Sequence, residues 1–178
     1  MGSRKVEIRP IAMSDFDGFY AALDSVARER RFLSSHQAPP IESTASFVAG
    51  NIKNGNPQFV ALAGSQIIGW CDICRQSKPV FEHSGVLGMG LVTQFRGQGI
   101  GSRLLAATLE TARSRRFRRV ELEVFANNSG AIALYRKHGF ALEGTRRLGA
   151  MIDNQEIDIH IMAVIHPAAA SSIAGLRG

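Results

Sequence analysis

Little in these 178 residues marks a specialised chain. Cysteine is scarce, with two in all, so no disulfide framework is encoded. Six prolines and 18 glycines exclude a collagen-like or low-complexity chain, and a 45% hydrophobic share excludes a disordered one. No apolar run approaches the roughly 18 residues of a membrane-spanning helix. Met1-Gly2-Ser3-Arg4-Lys5-Val6 leads into no apolar stretch, so no secretory signal is expected, and Val6 stands where a myristoylation pattern wants Ser or Thr. Acid is also in short supply. Lys and Arg number 21 against 15 Asp and Glu, and the net charge of +6 suits an anionic partner without specifying a fold.

Cys71 and Cys74 form a C-x-x-C, which raises a redox or zinc reading. The run Gln66 to Cys74 reads as a strand, where residues three apart point to opposite faces, and no second pair completes a tetrahedral site. Reduced, inert thiols in a reducing cytoplasm, and no metal, are the expectation.

The length predicts one domain, expected over residues 1–166, with 167–178 as a loosely ordered tail. Lys5 to Ile11 alternates as a strand, and Ser14 with Asp17 reads as a capping box ahead of a helix carrying Phe16, Phe19, Tyr20, Leu23, Val26 and Ala27. A loop over Ser34 to Ile41 precedes a second, weaker helix from Glu42 to Lys53. Gln58 to Ala63, Gly64-Ser65 and Gln66 to Cys74 form a hairpin pattern. The strand from Ser84 to Val92 carries Gly88 and Gly90, which suggest a bulge or a close approach by a backbone or ligand. A helix from Gly99 to about Arg115, a strand around Val120 to Phe125 and a helix from Ser129 to His138 follow. Two strands close the pattern, Ala141 to Arg147 and Ile157 to Ile165, turning at Asp153-Asn154. The order β-α-α-β-β-β-α-β-α-β-β predicts an α/β fold with a mixed sheet covered by helices.

The segment Val92 to Ser102 is the most informative. A strand enters a glycine-rich turn that opens directly into an amphipathic helix, a natural cradle of N–H groups for phosphate oxygens. Arg96 offers a bidentate donor and Ser102 a hydroxyl. A P-loop would need a Lys that is absent here. A dinucleotide fingerprint would need Gly at position 102, although Glu121 lies where its ribose-binding acid would sit, so NAD stays open as a minor option.

A second motif, Asn128-Ser129-Gly130-Ala131-Ile132-Ala133-Leu134-Tyr135-Arg136-Lys137-His138-Gly139-Phe140, lies downstream. Together with Arg96-Gly97-Gln98-Gly99-Ile100-Gly101 it resembles the GNAT superfamily of acetyl-CoA-dependent N-acetyltransferases. The resemblance runs from about Val6 to Val164. Glu123, Asn128 and Tyr135 are similar in position to a trio in bacterial ribosomal-protein alanine N-acetyltransferases, while the N-terminal half is closer to small-amine acetyltransferases.

This resemblance implies a splayed central strand pair and acetyl-CoA as co-substrate. The N–H groups from Gly97 through Gln98, Gly99, Ile100 and Gly101 to Ser102 are expected on its diphosphate, assisted by Arg96. The pantetheine arm is expected along Leu91, Val92 and Thr93, with Asn128 bonding it from the opposite side. An amine with a lysine-like pKa of about 10.4 is nucleophilic to roughly one part in a thousand at neutral pH, so a proton acceptor is useful. Glu123 is the candidate and Glu121 the second, set against an ion-paired strand carboxylate. An N–H of the Leu91–Thr93 strand is expected on the oxyanion, and Tyr135 as the acid for the leaving thiolate. The acceptor, a small amine, an amino acid or a protein N-terminus, is expected between Arg31 to Glu42 and Arg147 to Asp158, where Glu42, Asp153, Glu156 and Asp158 could attract a cation. His36 and His160 could lie nearby, and Trp70 reads as core or pocket wall. Arginines 113, 115, 116, 118 and 119 read as a solvated helix end rather than a nucleic-acid patch. A homodimer is an option that relatives suggest. The rival of a different class is a non-catalytic acyl-CoA-binding or interaction module, which would have no use for an acid–base pair.

Overall fold

A computed structural model describes residues 5–167. Of the expected 167–178 tail, all but Pro167 lies outside the described residues. Strands β1 (Val6–Pro10), β2 (Gln58–Ala63), β3 (Gln66–Arg75), β4 (Ser84–Leu91), β5 (Arg119–Phe125), β6 (Ala141–Ile152) and β7 (Gln155–Ile165) form one sheet in the order β1-β2-β3-β4-β5-β7-β6. Helices α1 (Phe16–Ala27) and α2 (Ile41–Asn54) precede β2, α3 (Ile100–Ser114) links β4 to β5, and α4 (Ser129–Lys137) links β5 to β6. The mixed α/β order read from periodicity is the observed one. No helix among the described residues is long and apolar enough to cross a membrane.

Strand alternation sorts the side chains into two layers. Cys71 and Ile73 face a core shared with Leu104, Leu105, Ile132 and Phe140 of the α3/α4 side. Val60 and Trp70 face the opposite core with Phe19 and Val26 of α1 and Val48 of α2. Each large apolar side chain buried this way contributes about 1.5–3 kcal/mol.

The feature that positions the site is a failure of pairing. Only β4 and β5 run parallel, and they register over Ser84–Val86 against Arg119–Glu121 and no further. Beyond that point the strands diverge, as the resemblance implied.

Three local expectations need correction. The bulge at Gly88–Gly90 is absent, because β4 stays in register with β3 from Gly85 to Leu91. Gly90 answers instead to close approach, since a Cβ there would meet the Trp70 ring at 2.2 Å. The Ser14–Asp17 capping box gives way to Asp15, whose carboxylate accepts Ala12 N–H at 2.8 Å and a forked bond from Arg9. Strand β6 continues to Ile152, past an irregularity between Arg146 and Ala150, and returns through Asp153 and Asn154, both at positive φ.

Candidate active site

The divergence of β4 and β5 opens a crevice of about 830 Å³. One wall is β4 from Leu87 to Leu91, the other is the end of β5 with the start of α4, and the glycine loop closes one end. In the loop Gly97 and Gly99 have φ of 72° and 77°, and a Cβ on either would meet nothing within 4 Å. The N–H groups from Gly97 through Ser102 have no partner among the described residues, and three of them are the orphan donors of the first turn of α3. Six free donors around an open space fit a diphosphate. On β4, Val92 N–H donates to Ile68 at 2.8 Å. Strand alternation then turns the backbone groups of Met89 and Leu91 toward the gap.

The side chains depart from expectation in instructive ways. Arg96 borders the crevice, but its fork is filled. It donates to Glu29 at 2.7 and 2.8 Å and to Leu91 C=O at 2.8 Å, and it stacks over Phe32 at 4.7 Å. In these bonds Arg96, the expected phosphate donor, joins the loop to the end of β4 and the exit of α1. Burial works against the Glu29 charge, but hydrogen bonds from Arg96 and Thr93 outweigh it and hold the carboxyl below its usual range. The Ser102 hydroxyl lies 2.8 Å from His138 Nε2, whose pKa is lowered by burial and by Lys137. Leu91, Gly97, Gly99, Gly101 and Ser102 border the crevice, whereas Val92, Thr93, Gln98 and Ile100 do not. The Ile100 side chain is buried in the core, and Gln98 donates to Gln94 C=O.

Asn128 caps α4, its side-chain oxygen accepting Ala131 N–H at 3.2 Å, and it lines the wall opposite β4. Tyr135 is 7% exposed and borders the same space, and its hydroxyl bonds to no other described residue. Burial raises its pKa, so the phenol keeps its proton at neutral pH. Glu123 also stands on the crevice wall, half-exposed, but both oxygens are held by Arg146 at 2.6 and 3.1 Å. Glu121 lies elsewhere, bonded to Arg119 and Gln76.

A second cavity of about 390 Å³ opens beside the first, and the two share Leu33, Ser34, Gly88 and Met89. Its walls come from α1, the 33–39 loop, the start of α2 and the α1-facing side of β3 and β4. The expected 31–42 segment is therefore present, but Arg147 to Asp158 contributes nothing to either space. None of Glu42, Asp153, Glu156, Asp158, His36 and His160 lines it. Trp70 does, edge-on to Phe19. The acid in this cavity is Asp72, a residue the sequence reading passed over. Its only sequence signal is a carboxylate inside the apolar run Ile67 to Cys74, in phase with Trp70. Burial lifts its pKa to about 7.

A model of the acetyltransferase (GNAT) family matches residues 19–140. An L-amino acid N-acetyltransferase, AaaT, from Escherichia coli is 31% identical over 110 residues, covering 61% of this chain and 68% of that protein. The N-alpha-acetyltransferase RimI of Mycobacterium tuberculosis is 40% identical over 88 residues, covering 49% of this chain and 53% of its own length. Among solved structures, a GNAT-family acetyltransferase from Streptococcus pneumoniae superposes with a TM-score of 0.85 at 27% identity, over 91% of this chain and all of that one. The Salmonella typhimurium yncA structure, described with its cofactor acetyl-CoA, gives 0.86 at 15% identity over 96% and 99%, a likeness of fold alone. With its open strand pair, its glycine loop and a family match over most of its length, the chain belongs to the acetyltransferase (GNAT) family and is an acyltransferase built on that family's fold.

Proposed function

We propose that this protein transfers an acetyl group from acetyl-CoA directly to a primary amine, in the reducing cytoplasm that its free Cys71 and Cys74 suit. The observation that carries this reading is the row of unpartnered N–H groups from Gly97 to Ser102, placed past Leu91 at the end of the gap between β4 and β5. The loop binds the diphosphate and Arg96 holds the loop in shape. The gap-facing backbone groups of Met89 and Leu91 take the extended arm as a further strand would, with Asn128 across from them. When the amine attacks the thioester carbon, one of these N–H groups receives the developing oxyanion. As the C–S bond breaks, the Tyr135 hydroxyl gives its proton to the thiolate. The amine's proton needs an acceptor, and Glu123, the carboxylate on the crevice wall, is open to that role only where its pair with Arg146 separates.

Supporting this reading, the relatives are named for acceptors that share only an amine, the L-amino acids of AaaT and the Nα groups of RimI. The test is coenzyme A release with a panel of amines, with product masses read in parallel. Wild type is expected to turn over at least one amine, and Tyr135→Phe to lose about 10²-fold in kcat with acetyl-CoA affinity unchanged. Acetyl-CoA binding without turnover of any amine would favour the non-catalytic module.

A further inference from the structure

The second cavity lies beside the crevice assigned to acetyl-CoA, and its composition is unusual. Around it are Phe19, Leu23, Phe47, Trp70 and other apolar or neutral groups, one carboxylate, and no Lys, Arg or His. That carboxylate, Asp72, is 6% exposed and makes no salt bridge with any described residue. Its one hydrogen-bonding neighbour is the Cys74 thiol, 3.6 Å from Oδ2, which also lies 3.3 Å from Asn51 Oδ1. An isolated buried carboxylate in an apolar pocket is costly unless a cation arrives to pair with it.

The position of Asp72 relates the two cavities. It sits directly across the ladder from Gly88, so both residues present the same face of the sheet. A Cβ on Gly88 would lie 3.4 Å from Asp72 Oδ2. Gly88 also borders both spaces, so no side chain at position 88 separates the carboxylate from the boundary the two cavities share. We infer that the second cavity is the acceptor site and that Asp72, rather than Glu123, anchors the ammonium of a primary amine with an apolar body and takes its proton. This rests on the acetyl-transfer reading for the chemistry, though not for the binding.

The step balances. The ammonium passes one proton to Asp72, and the freed amine forms the C–N bond as the C–S bond breaks. The thiolate takes the Tyr135 proton, the second nitrogen proton restores Tyr135, and Asp72 releases its own to solvent. The groups facing Asp72 leave this titration to it. Gln58 lies opposite on β2, Asn51 and Thr44 come from α2, α1 presents apolar side chains, and the loop presents Ser34, Ser35 and Gln37. Among the described residues the other titratable neighbours are thiols, with Cys74 pushed up to about 12 by burial and Cys71 raised by burial on the far face. The same lining fixes the substrate class. A free amino acid would bring its α-carboxylate against Asp72 with no cation in the cavity to receive it, so an amine without that group fits better.

The experiment uses the full chain, 2-phenylethylamine and L-phenylalanine. Binding to the coenzyme A complex is read by calorimetry and turnover by coenzyme A release from pH 6 to 9.5. For wild type, kcat/KM with 2-phenylethylamine should rise through about pH 7 and then level, and exceed that with L-phenylalanine by at least about tenfold. Asp72→Asn should bind acetyl-CoA as wild type does, which also certifies its fold. It should bind the amine at least about tenfold more weakly, lose about 10²-fold in kcat/KM at pH 7.5, and keep rising toward the amine's own pKa, about 10. Gly88→Val, which fills the opening against Asp72 while keeping its charge, should raise KM for the amine. Full turnover and binding by Asp72→Asn overturns the inference and leaves acetyl transfer standing. Asp72-dependent binding without turnover overturns acetyl transfer and upholds the site. If wild type neither binds nor acetylates 2-phenylethylamine, the acceptor site is overturned while acetyl transfer stands or falls on the amine panel, and equal use of L-phenylalanine overturns the substrate class.

Discussion

The two cavities meet at Gly88 and are built on opposite principles. The crevice between β4 and β5 offers a ligand chiefly main-chain groups: free N–H groups in the glycine loop and the gap-facing edge of β4. The smaller cavity is lined by side chains, apolar but for one isolated carboxylate. A ligand common to a whole family can be held by main-chain groups, because these survive any change of side chain. An acceptor that differs from relative to relative must be read by side chains. The two carboxylates repeat the contrast. Glu123 is half-exposed and satisfied by Arg146, whereas Asp72 is buried and lacks a cation.

The sharpest way to break this contrast is Gly99→Glu. At φ of 77° a side chain is strained, and its charge would face the diphosphate, so acetyl-CoA affinity should fall by at least about 10²-fold in calorimetry. Unaltered affinity would show that the loop is not the diphosphate site.

Exchanging the carboxylates one at a time comes next. Asp72→Asn should cost about 10²-fold in kcat/KM, and Glu123→Gln less than about fivefold, because an exposed ion pair contributes little. The reverse order would return the proton-accepting role to Glu123.

Stability should move the opposite way to activity at Asp72. Its folded pKa of about 7 lies above the ordinary 3.8, so the unfolded chain releases this proton first and ionisation works against folding. The cost is absent below about pH 4, grows as pH rises, and is complete above about pH 7. Asp72→Asn should therefore be more stable than wild type at pH 8, by on the order of 2–4 kcal/mol in urea unfolding, with the gap closing toward pH 4. An equal or less stable variant at pH 8 would mean the charge is better compensated than the hydrogen bonds indicate.

The smallest expected effect is at the Glu29–Arg96 pair. Glu29→Gln leaves Arg96 with its bond to Leu91 C=O but weakens the tie to α1, and acetyl-CoA affinity should drop only a few-fold.

The backbone-built half of this account was legible in the sequence, because glycines that permit positive φ and a cap before a helix are local requirements. Gly97 and Gly99 stand at positive φ in the strand-to-helix turn the pattern predicts, and the helix expected from Ser129 starts there, with Asn128 found as its cap. The side-chain half was not, because its meaning depends on residues far along the chain. Arg96 reads as a phosphate donor until Glu29, 67 residues earlier, folds against it. Glu123 reads as a base until β6 brings Arg146 alongside. Asp72 carries no motif, and its burial needs α1, the 33–39 loop and α2 to meet over β3. An acid in an apolar strand, in phase with an aromatic that faces a core, was the one clue available.

The most direct test of the whole is a crystal structure with acetyl-CoA bound. The diphosphate should lie within hydrogen-bond distance of the N–H groups between Gly97 and Ser102, with the thioester beside Tyr135 and its carbonyl carbon facing the opening at Gly88. A diphosphate bound away from the loop, or a thioester turned from the Asp72 cavity, would contradict it.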